Sequence, residues 1–191
     1  MQRILDANYQ KADLEKEVEK LTHLSSAQQE ALLIYLKKYE SLFNGELGKW
    51  EGPPVDLELK EGAKPYHARA FPIPHIHLEA FKKDLDRLEK LGVLTKRNRS
   101  EWAAPSFIIP KKDRRVRFVS DFRKLNRQLK HAPYPLPHIK DIIYKLSNFS
   151  YATTLDLIMG YYNITLMDAA KQLCTITTPF GKYEYNRLLS K

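Results

Sequence analysis

Two proline-rich stretches interrupt this sequence, and they exclude long helices through its middle. The first runs from Pro65 to Pro74 and the second from Pro133 to Pro137. Proline cannot continue a helix, because it lacks a backbone N–H and its ring clashes with the preceding turn. Both stretches are therefore predicted to be extended links between shorter elements.

The segments around these links alternate in type. Apolar residues at helical spacing predict a helix that contains Leu78–Leu88 and ends at Gly92, and another that contains Ile139–Leu146. Alternating or β-branched runs predict strands at 55–59, 106–109, 116–120, 151–155, 173–177 and 183–185. Helices and strands mix without regular βαβ alternation, so the expected fold class is α+β.

Residues 1–49 are predicted to form a separate helical linker. Leu14, Val18 and Leu21 recur at helical spacing, and Ser26 with Gln29 matches a capping box before a second apolar stripe. Stripes of this kind are packing faces far more often than membrane or cofactor sites. The segment is interpreted as an adaptor.

Positive charge is concentrated in the central third of the chain. Residues 96–150 contain 14 Lys and Arg against 4 Asp and Glu, whereas the remainder is nearly balanced and the net charge is +9. A concentrated excess suits a polyanion, because neutralised phosphates release counterions. A solvated basic face explains the same count, and charge alone does not separate the two interpretations.

Several classes of protein are excluded or disfavoured. The only cysteine is Cys174, so no internal disulfide or cysteine-based zinc site can form, and a reducing intracellular setting is expected. The longest apolar run, 31–36, is far below the roughly 20 residues of a membrane helix, so no membrane partner is expected. No secretory signal is visible at the N-terminus. The glycines form neither a P-loop nor a dinucleotide fingerprint, and no serine has the setting of an acyl-transfer nucleophile.

Asp156 is the strongest single candidate for chemistry. It directly follows the β-rich run 151–155, and the end of a strand is where a sheet presents a side chain to a site. A carboxylate is a hard oxygen ligand that suits Mg²⁺. A capping aspartate that leads into a turn is the alternative, and on these residues alone it is the better supported one.

Asp156 belongs to a series of short motifs that runs along the chain. In order, the motifs are 100–105 (SEWAAP), 111–113 (KKD), 117–126 (RFVSDFRKLN), 134–137 (YPLP), 155–157 (LDL), 160–162 (GYY) and 178–185 (TPFGKYEY). Together they resemble the reverse transcriptase of gypsy-type long-terminal-repeat retrotransposons, from about Trp50 to the C-terminus. Each component alone is weak, but their number, order and spacing are specific.

The resemblance implies roles for individual residues. Asp156 matches the first catalytic aspartate, which with later carboxylates holds two Mg²⁺ ions for nucleotidyl transfer, and the carbonyl of Leu157 would assist. Tyr161 matches the aromatic residue under the incoming sugar that excludes a 2′-hydroxyl. The cations that embrace the triphosphate are Lys111 or Lys112, with Arg117. The residues beside the template and the nucleotide are Asp121, Arg123 and Asn126. Arg123 fits a structural partner of Asp121 as well as it fits a template contact.

The sequence departs from the family pattern in two places. Arg114 and Arg115 stand where the fingers turn usually carries glycine. The sequence ends at Lys191, before the expected Tyr-x-Asp-Asp hairpin, and after Asp156 the carboxylates are Asp168 and Glu184 alone. Since neither matches a second metal ligand, this chain alone is expected to be inactive.

The sequence therefore predicts a partial right-hand polymerase. Residues 50–191 would form the fingers and the N-terminal part of an incomplete palm, and residues 1–49 the junction between protease and polymerase. In the complete protein we expect Mg²⁺-dependent, RNA-directed DNA synthesis, with template-primer, deoxynucleoside triphosphates and the rest of a Pol polyprotein as partners. The setting would be the cytoplasm, virus-like particles or the nucleus. The alternatives are a non-catalytic nucleic-acid-binding remnant and a protein-interaction fragment that acts through the N-terminal helices.

Overall fold

The structure is a computed structural model that describes residues 11–110, 116–131, 133–146, 150–153, 155, 157 and 159–189. Its contacts divide the chain into two compact units. The first unit comprises Met1–Gly48 and Leu157–Gly160, and the second comprises Lys49–Asp156 and Tyr161–Lys191. None of the helices in the described ranges is both long enough and apolar enough to cross a membrane.

The first unit contains two α-helices, α1 (Leu14–Glu19) and α2 (Ser26–Lys38), and a 3₁₀ helix at Glu40–Phe43. The two predicted helices are confirmed, but the capping box lies one residue earlier than predicted. Ser25 is the N-cap of α2, and its backbone N–H donates to Oε1 of Gln28 at 2.9 Å. Its hydroxyl accepts from the backbone N–H of Gln28, so two of the free donors in the first turn of α2 are satisfied by the Ser25 and Gln28 side chains.

The second unit is a mixture of helices and strands, as predicted. Its helices are α3 (His75–Lys90), α4 (Arg123–Gln128), α5 (Ile139–Lys145) and α6 (Asp168–Leu173). It also holds all but the first residue of a 3₁₀ helix at Gly160–Asn163. Its strands are β1 (Leu94–Arg97), β2 (Ala104–Pro110), β3 (Val116–Ser120), β4 (Thr175–Thr178) and β5 (Gly181–Tyr185). In the described ranges these strands form one sheet in the order β1–β5–β4–β2–β3, in which β2 and β4 are parallel and the other neighbours are antiparallel.

Helix α3 supplies one side of the core of this unit. Phe81, Leu85 and Leu88 are buried at the spacing of one helical face. The ring centroids of Phe81 and Phe118 lie 5.2 Å apart, which places the helix against β3. Gly92 follows the helix with a φ of +67°, a left-handed conformation that favours glycine. The helix and its end are thus where the apolar spacing predicts them.

Two predicted strands are wrong. Residues 55–59 form only isolated bridges, Val55 with Leu166 and Leu59 with Leu129, because the two ends of the run bond to different parts of the chain. In the run 151–155, the described residues 151–153 and 155 adopt no strand, and Leu155 is exposed. Periodicity reports which residues favour an extended backbone, but a ladder also requires a partner that is extended beside it.

Candidate nucleotide and nucleic-acid site

Strand β3 carries the first of the predicted nucleotide-binding residues to an edge of the sheet. Arg117 lies opposite Ile109 of β2, its side chain is exposed, and it forms no ion pair within the part of the chain that the structure describes. Lys111 and Lys112 lie outside the described residues. Arg117 therefore offers a charged guanidinium to solvent, as a phosphate-binding residue requires.

Asp121 and Arg123 form a two-pronged ion pair immediately after β3. The Nε and Nη2 atoms of Arg123 donate to the two carboxylate oxygens of Asp121 at 2.8 and 2.7 Å. The backbone N–H of Arg123 donates to the same carboxylate at 3.2 Å. These hydrogen bonds hold the pKa of Asp121 below its usual value of 3.8, and the pairing raises the pKa of Arg123. The charge of Arg123 is thereby directed toward Asp121, although its side chain remains largely exposed.

Asn126 is held by the short helix α4. Leu125 anchors the helix in the core, and the backbone N–H of Asn126 donates to the carbonyl of Phe122 at 2.8 Å. The Asn126 side chain is half-buried and forms no hydrogen bond with any described residue. Its amide is therefore free to bind another group.

Tyr161 and Tyr162 lie in the 3₁₀ helix at Gly160–Asn163 and differ in their surroundings. The Tyr161 side chain is 55% exposed, whereas the ring of Tyr162 stacks on that of Tyr185, with centroids 6.3 Å apart. Burial raises the pKa of the Tyr162 hydroxyl. Tyr162 thus fixes this short helix to the sheet, and Tyr161 presents its ring outward.

Tyr185 connects these separate parts of the site, and the sequence analysis does not identify it. Its hydroxyl lies 3.0 Å from that of Ser120, and its ring meets Phe122 edge to face, with centroids 6.1 Å apart. It therefore joins the segment of Asp121 and Arg123 to the helix that carries Tyr161. The alternation of Tyr183, Glu184 and Tyr185 could have indicated that both tyrosines face the core.

The described residues contain no ready-made magnesium site. Asp156 lies outside them, and among them no three His, Cys, Asp or Glu residues converge. The carboxylate of Asp168 accepts a hydrogen bond from Lys171 at 2.6 Å, and the carboxylate of Glu184 accepts one from Arg97 at 3.0 Å. Leu157 is described, and its side chain is exposed. Asp168 and Glu184 are thus engaged in ion pairs.

Comparison with known proteins identifies relatives. No family model matches the chain. Over 174 residues it is 32% identical to an uncharacterized protein of Caenorhabditis elegans, and over 167 residues it is 30% identical to the retrovirus-related Pol polyprotein from transposon opus of Drosophila melanogaster. These matches cover 88% and 84% of this chain but 14% and 17% of the relatives. The Pol polyprotein from transposon gypsy of the same fly is 31% identical over 131 residues, 65% of this chain and 13% of the relative.

Solved structures with a similar fold come from a foamy virus. The chain matches the prototype foamy virus protease-reverse transcriptase with a TM-score of 0.78 and 25% identity, over 93% of this chain and 24% of that one. It matches the foamy viral protease-reverse transcriptase in complex with an RNA/DNA hybrid with a TM-score of 0.81 and 23% identity, over the same shares. For the complex with double-stranded DNA the TM-score is 0.79 at 23% identity, over 93% of this chain and 38% of that one.

The fold is thus of the retroviral reverse-transcriptase class. The chain is homologous to the retrotransposon Pol polyproteins, gypsy among them, and spans about a sixth or less of the lengths of the relatives named above. The resemblance inferred from the sequence motifs is confirmed.

Proposed function

We propose that this chain is the fingers and first palm part of an RNA-directed DNA polymerase, which acts as such in the complete protein. The observation that carries the proposal is that 93% of the chain matches the foamy viral enzyme whose structure holds an RNA/DNA hybrid. The motifs around Asp121 and Tyr161 both resemble those of retrotransposon reverse transcriptases. Tyr185 contacts Ser120, next to the first motif, and Tyr162, within the second.

In this proposal the residues around β3 bind the substrates. Arg117 binds the triphosphate of a deoxynucleotide together with Lys111 or Lys112. The Arg117 side chain is exposed, and an exposed cation neutralises phosphate at little desolvation cost. Tyr161 lies under the sugar, with its ring free of the core. The pair of Asp121 and Arg123, together with the unpaired amide of Asn126, lies beside the template strand.

Mg²⁺ belongs to the same proposal. Asp156 and the carbonyl of Leu157 would hold the ion, whose chemistry is to neutralise the charge that develops on the phosphate during transfer. Asp168 and Glu184 already have cationic partners, so they do not complete a pair of magnesium sites. On these grounds the 191-residue chain by itself does not extend a primer.

The exposed face of α5 points to a protein partner. Ile139 and Ile143 are 75% and 63% exposed, and Ile142 and Leu146 are exposed beside them. A contiguous apolar surface of this kind is usually covered by protein. Because the relatives are several times longer than this chain, the proposed cover is the rest of a Pol polyprotein.

A second candidate is a nucleic-acid-binding remnant without catalysis. The observation that favours it is that no three metal-ligating side chains converge among the described residues. Glu184, one of these residues, forms an ion pair with Arg97 instead. The two candidates make the same prediction for binding and different ones for polymerisation.

Binding is tested with the purified chain and a labelled oligonucleotide. Replacing Lys111, Lys112 and Arg117 with alanine should weaken binding for every sequence and reduce the salt slope by up to about 1 per lost phosphate contact. Replacing Lys16, Lys20 and Lys37 is the matched control, because each pairs with an acidic residue, at 2.9, 2.5 and 2.6 Å. Equal losses from the two triple variants, or no binding at low salt by a folded chain, would contradict the proposal.

Polymerisation separates the two candidates. In a longer polypeptide that continues into the rest of a related Pol polyprotein, Mg²⁺-dependent primer extension should appear, and Asp156→Asn should abolish it with binding retained. Extension that survives Asp156→Asn would remove Asp156 from its role. If the longer polypeptide binds but does not extend a primer, the remnant is the correct interpretation.

A further inference from the structure

A cleft opens at the edge of the sheet formed by β1. It has a volume of about 680 Å³ and lies between the segment 97–102, strand β5 and the end of α6. In the strand order β1–β5–β4–β2–β3, this edge is the opposite one from β3, which carries Arg117. Four strand spacings separate the two edges, or about 19 Å. The cleft is therefore distinct from the edge that carries Arg117.

One ion pair neutralises the floor of the cleft. The carboxylate of Glu184 is only 6% exposed, and the Nη2 and Nε atoms of Arg97 donate to its two oxygens at 3.0 and 3.2 Å. Such a fork satisfies a buried carboxylate and fixes the guanidinium above it. The pairing raises the pKa of Arg97, and the two opposite charges leave the floor nearly neutral overall.

Two further cations at the cleft have no such partner. Arg99 is exposed and forms no ion pair or hydrogen bond with any described residue. Lys182 is half-buried, and its Nζ donates to the carbonyl of Ser100 at the long distance of 3.4 Å. Lys182 is also the register partner of Arg97 across β1 and β5, and directly opposed like charges destabilise a sheet. The fold thus brings three cations and two carboxylates, Glu101 and Glu184, together at this cleft, which leaves an excess of one positive charge.

We propose that this cleft binds the phosphodiester backbone of a single-stranded nucleic acid, with Arg99 and Lys182 as its phosphate contacts. A volume of about 680 Å³ is that of a small-molecule pocket, too narrow for a duplex and large enough for a nucleotide unit. The side-chain amides of Asn98 and Gln172 line the same cleft and can meet base edges. The proposal rests on the proposed function only in taking nucleic acid as the partner.

Tryptophan fluorescence can report on this cleft alone. The sequence contains two tryptophans, and Trp102 lines the cleft, whereas Trp50 is exposed elsewhere. In the Trp50→Phe variant, a single-stranded oligonucleotide should change the Trp102 fluorescence at low salt, and the change should reverse as salt is added. Inorganic phosphate and a deoxynucleoside triphosphate are titrated in parallel. A change with either small anion but not with the oligonucleotide would overturn the assignment to nucleic acid.

Variants then test the two cations. Arg99→Ala with Lys182→Ala should abolish the fluorescence change and lower the salt slope of binding by about 1.4, as two lost contacts to a single strand require. Glu101→Gln, which removes an acidic side chain from the lining, should strengthen binding. The matched control is Lys83→Ala with Lys90→Ala, two exposed lysines of α3 without ion pairs among the described residues.

The outcomes separate this proposal from the proposed function. If the cleft variant and the α3 control change oligonucleotide binding equally, in chains shown to be folded by circular dichroism, the cleft assignment is contradicted. The cleft assignment would also be contradicted if oligonucleotide binding weakened in the Lys111, Lys112 and Arg117 variant but left Trp102 fluorescence unchanged. The proposed function would then still be supported. If a folded chain binds no oligonucleotide, both the cleft assignment and the proposed function are contradicted.

Discussion

The hydroxyl groups of Tyr185 and Ser120 lie 3.0 Å apart and join β5 to β3, which are not neighbours in the sheet. The Tyr185 side chain is buried, and burial raises the pKa of its hydroxyl well above the usual value of 10.0. The tyrosine is therefore neutral at neutral pH, where its hydroxyl can hydrogen-bond to Ser120.

We predict that Tyr185→Phe lowers the free energy of unfolding by about 1 kcal/mol, because it keeps the ring contacts and removes the hydroxyl that hydrogen-bonds to Ser120 and Tyr162. Urea unfolding measures the change. Tyr151→Phe, which removes the hydroxyl of an exposed tyrosine, should change stability far less. Equal effects of the two substitutions would show that the hydrogen bonds of the Tyr185 hydroxyl contribute nothing to stability.

The ion pair of Asp121 and Arg123 should make stability depend on pH. Hydrogen bonds from Arg123 lower the pKa of Asp121 in the folded chain, so its contribution is complete above the unfolded value and is lost as pH falls through the folded value. Asp121→Asn should therefore cost up to about 1 kcal/mol at pH 7, since Arg123 is largely exposed. The difference between variant and parent should shrink below about pH 4. A difference that is constant from pH 7 to pH 2 would show that the pair is not responsible.

Cys174 should be chemically silent in the folded protein. Its side chain is buried, and burial raises the pKa of the thiol to about 12. Because the thiolate is the reactive form, we expect a thiol reagent at pH 8 to label the native chain at least about a hundredfold more slowly than the urea-unfolded chain. As Cys174 is the only cysteine, total labelling reports on this site directly. Rapid labelling of the native chain would contradict the burial.

Tyr161 should act as a gate against ribonucleotides in the longer polypeptide. Its ring is exposed, so Tyr161→Ala should remove the steric barrier to a 2′-hydroxyl without opening a cavity in the core. We expect the ratio of ribonucleotide to deoxyribonucleotide incorporation to rise, as measured by single-nucleotide primer extension. Tyr134→Ala, at another exposed tyrosine, is the control. If Tyr161→Ala leaves the ratio of ribonucleotide to deoxyribonucleotide incorporation unchanged, Tyr161 does not exclude the 2′-hydroxyl.

Local patterns predicted some of this fold well. The spacing of Phe81, Leu85 and Leu88 gave α3, and the runs around Ile108 and Phe118 gave β2 and β3, because each pattern describes a face that its own element buries. The order of the family motifs gave the class of protein. The helix and strand predictions depend on neighbours within about ten residues.

What depends on distant pairing could not be predicted in the same way. The sequence places Arg97, Arg99 and Arg117 in one basic third, yet the sheet carries β1 and β3 at opposite edges. That separation follows from the pairing of Leu94 with Tyr185, across ninety-one residues of sequence. Glu184 likewise gives no sign in the sequence that it lies beneath Arg97.

The same long-range pairing has a consequence for synthesis of the chain on the ribosome. β2 bonds to β4 through Ala104 and Ile176, and the antiparallel pair of β2 and β3 is complete at Ser120, about 55 residues before β4 begins at Thr175. Until then the N–H and C=O groups along that edge of β2 are unpaired, and such an edge can pair with a wrong strand. Closing a sheet over such separations is slow. The nascent polypeptide therefore has an open β-edge throughout the translation of the segment that contains Asp156, and a chaperone that binds extended strands would act in that interval.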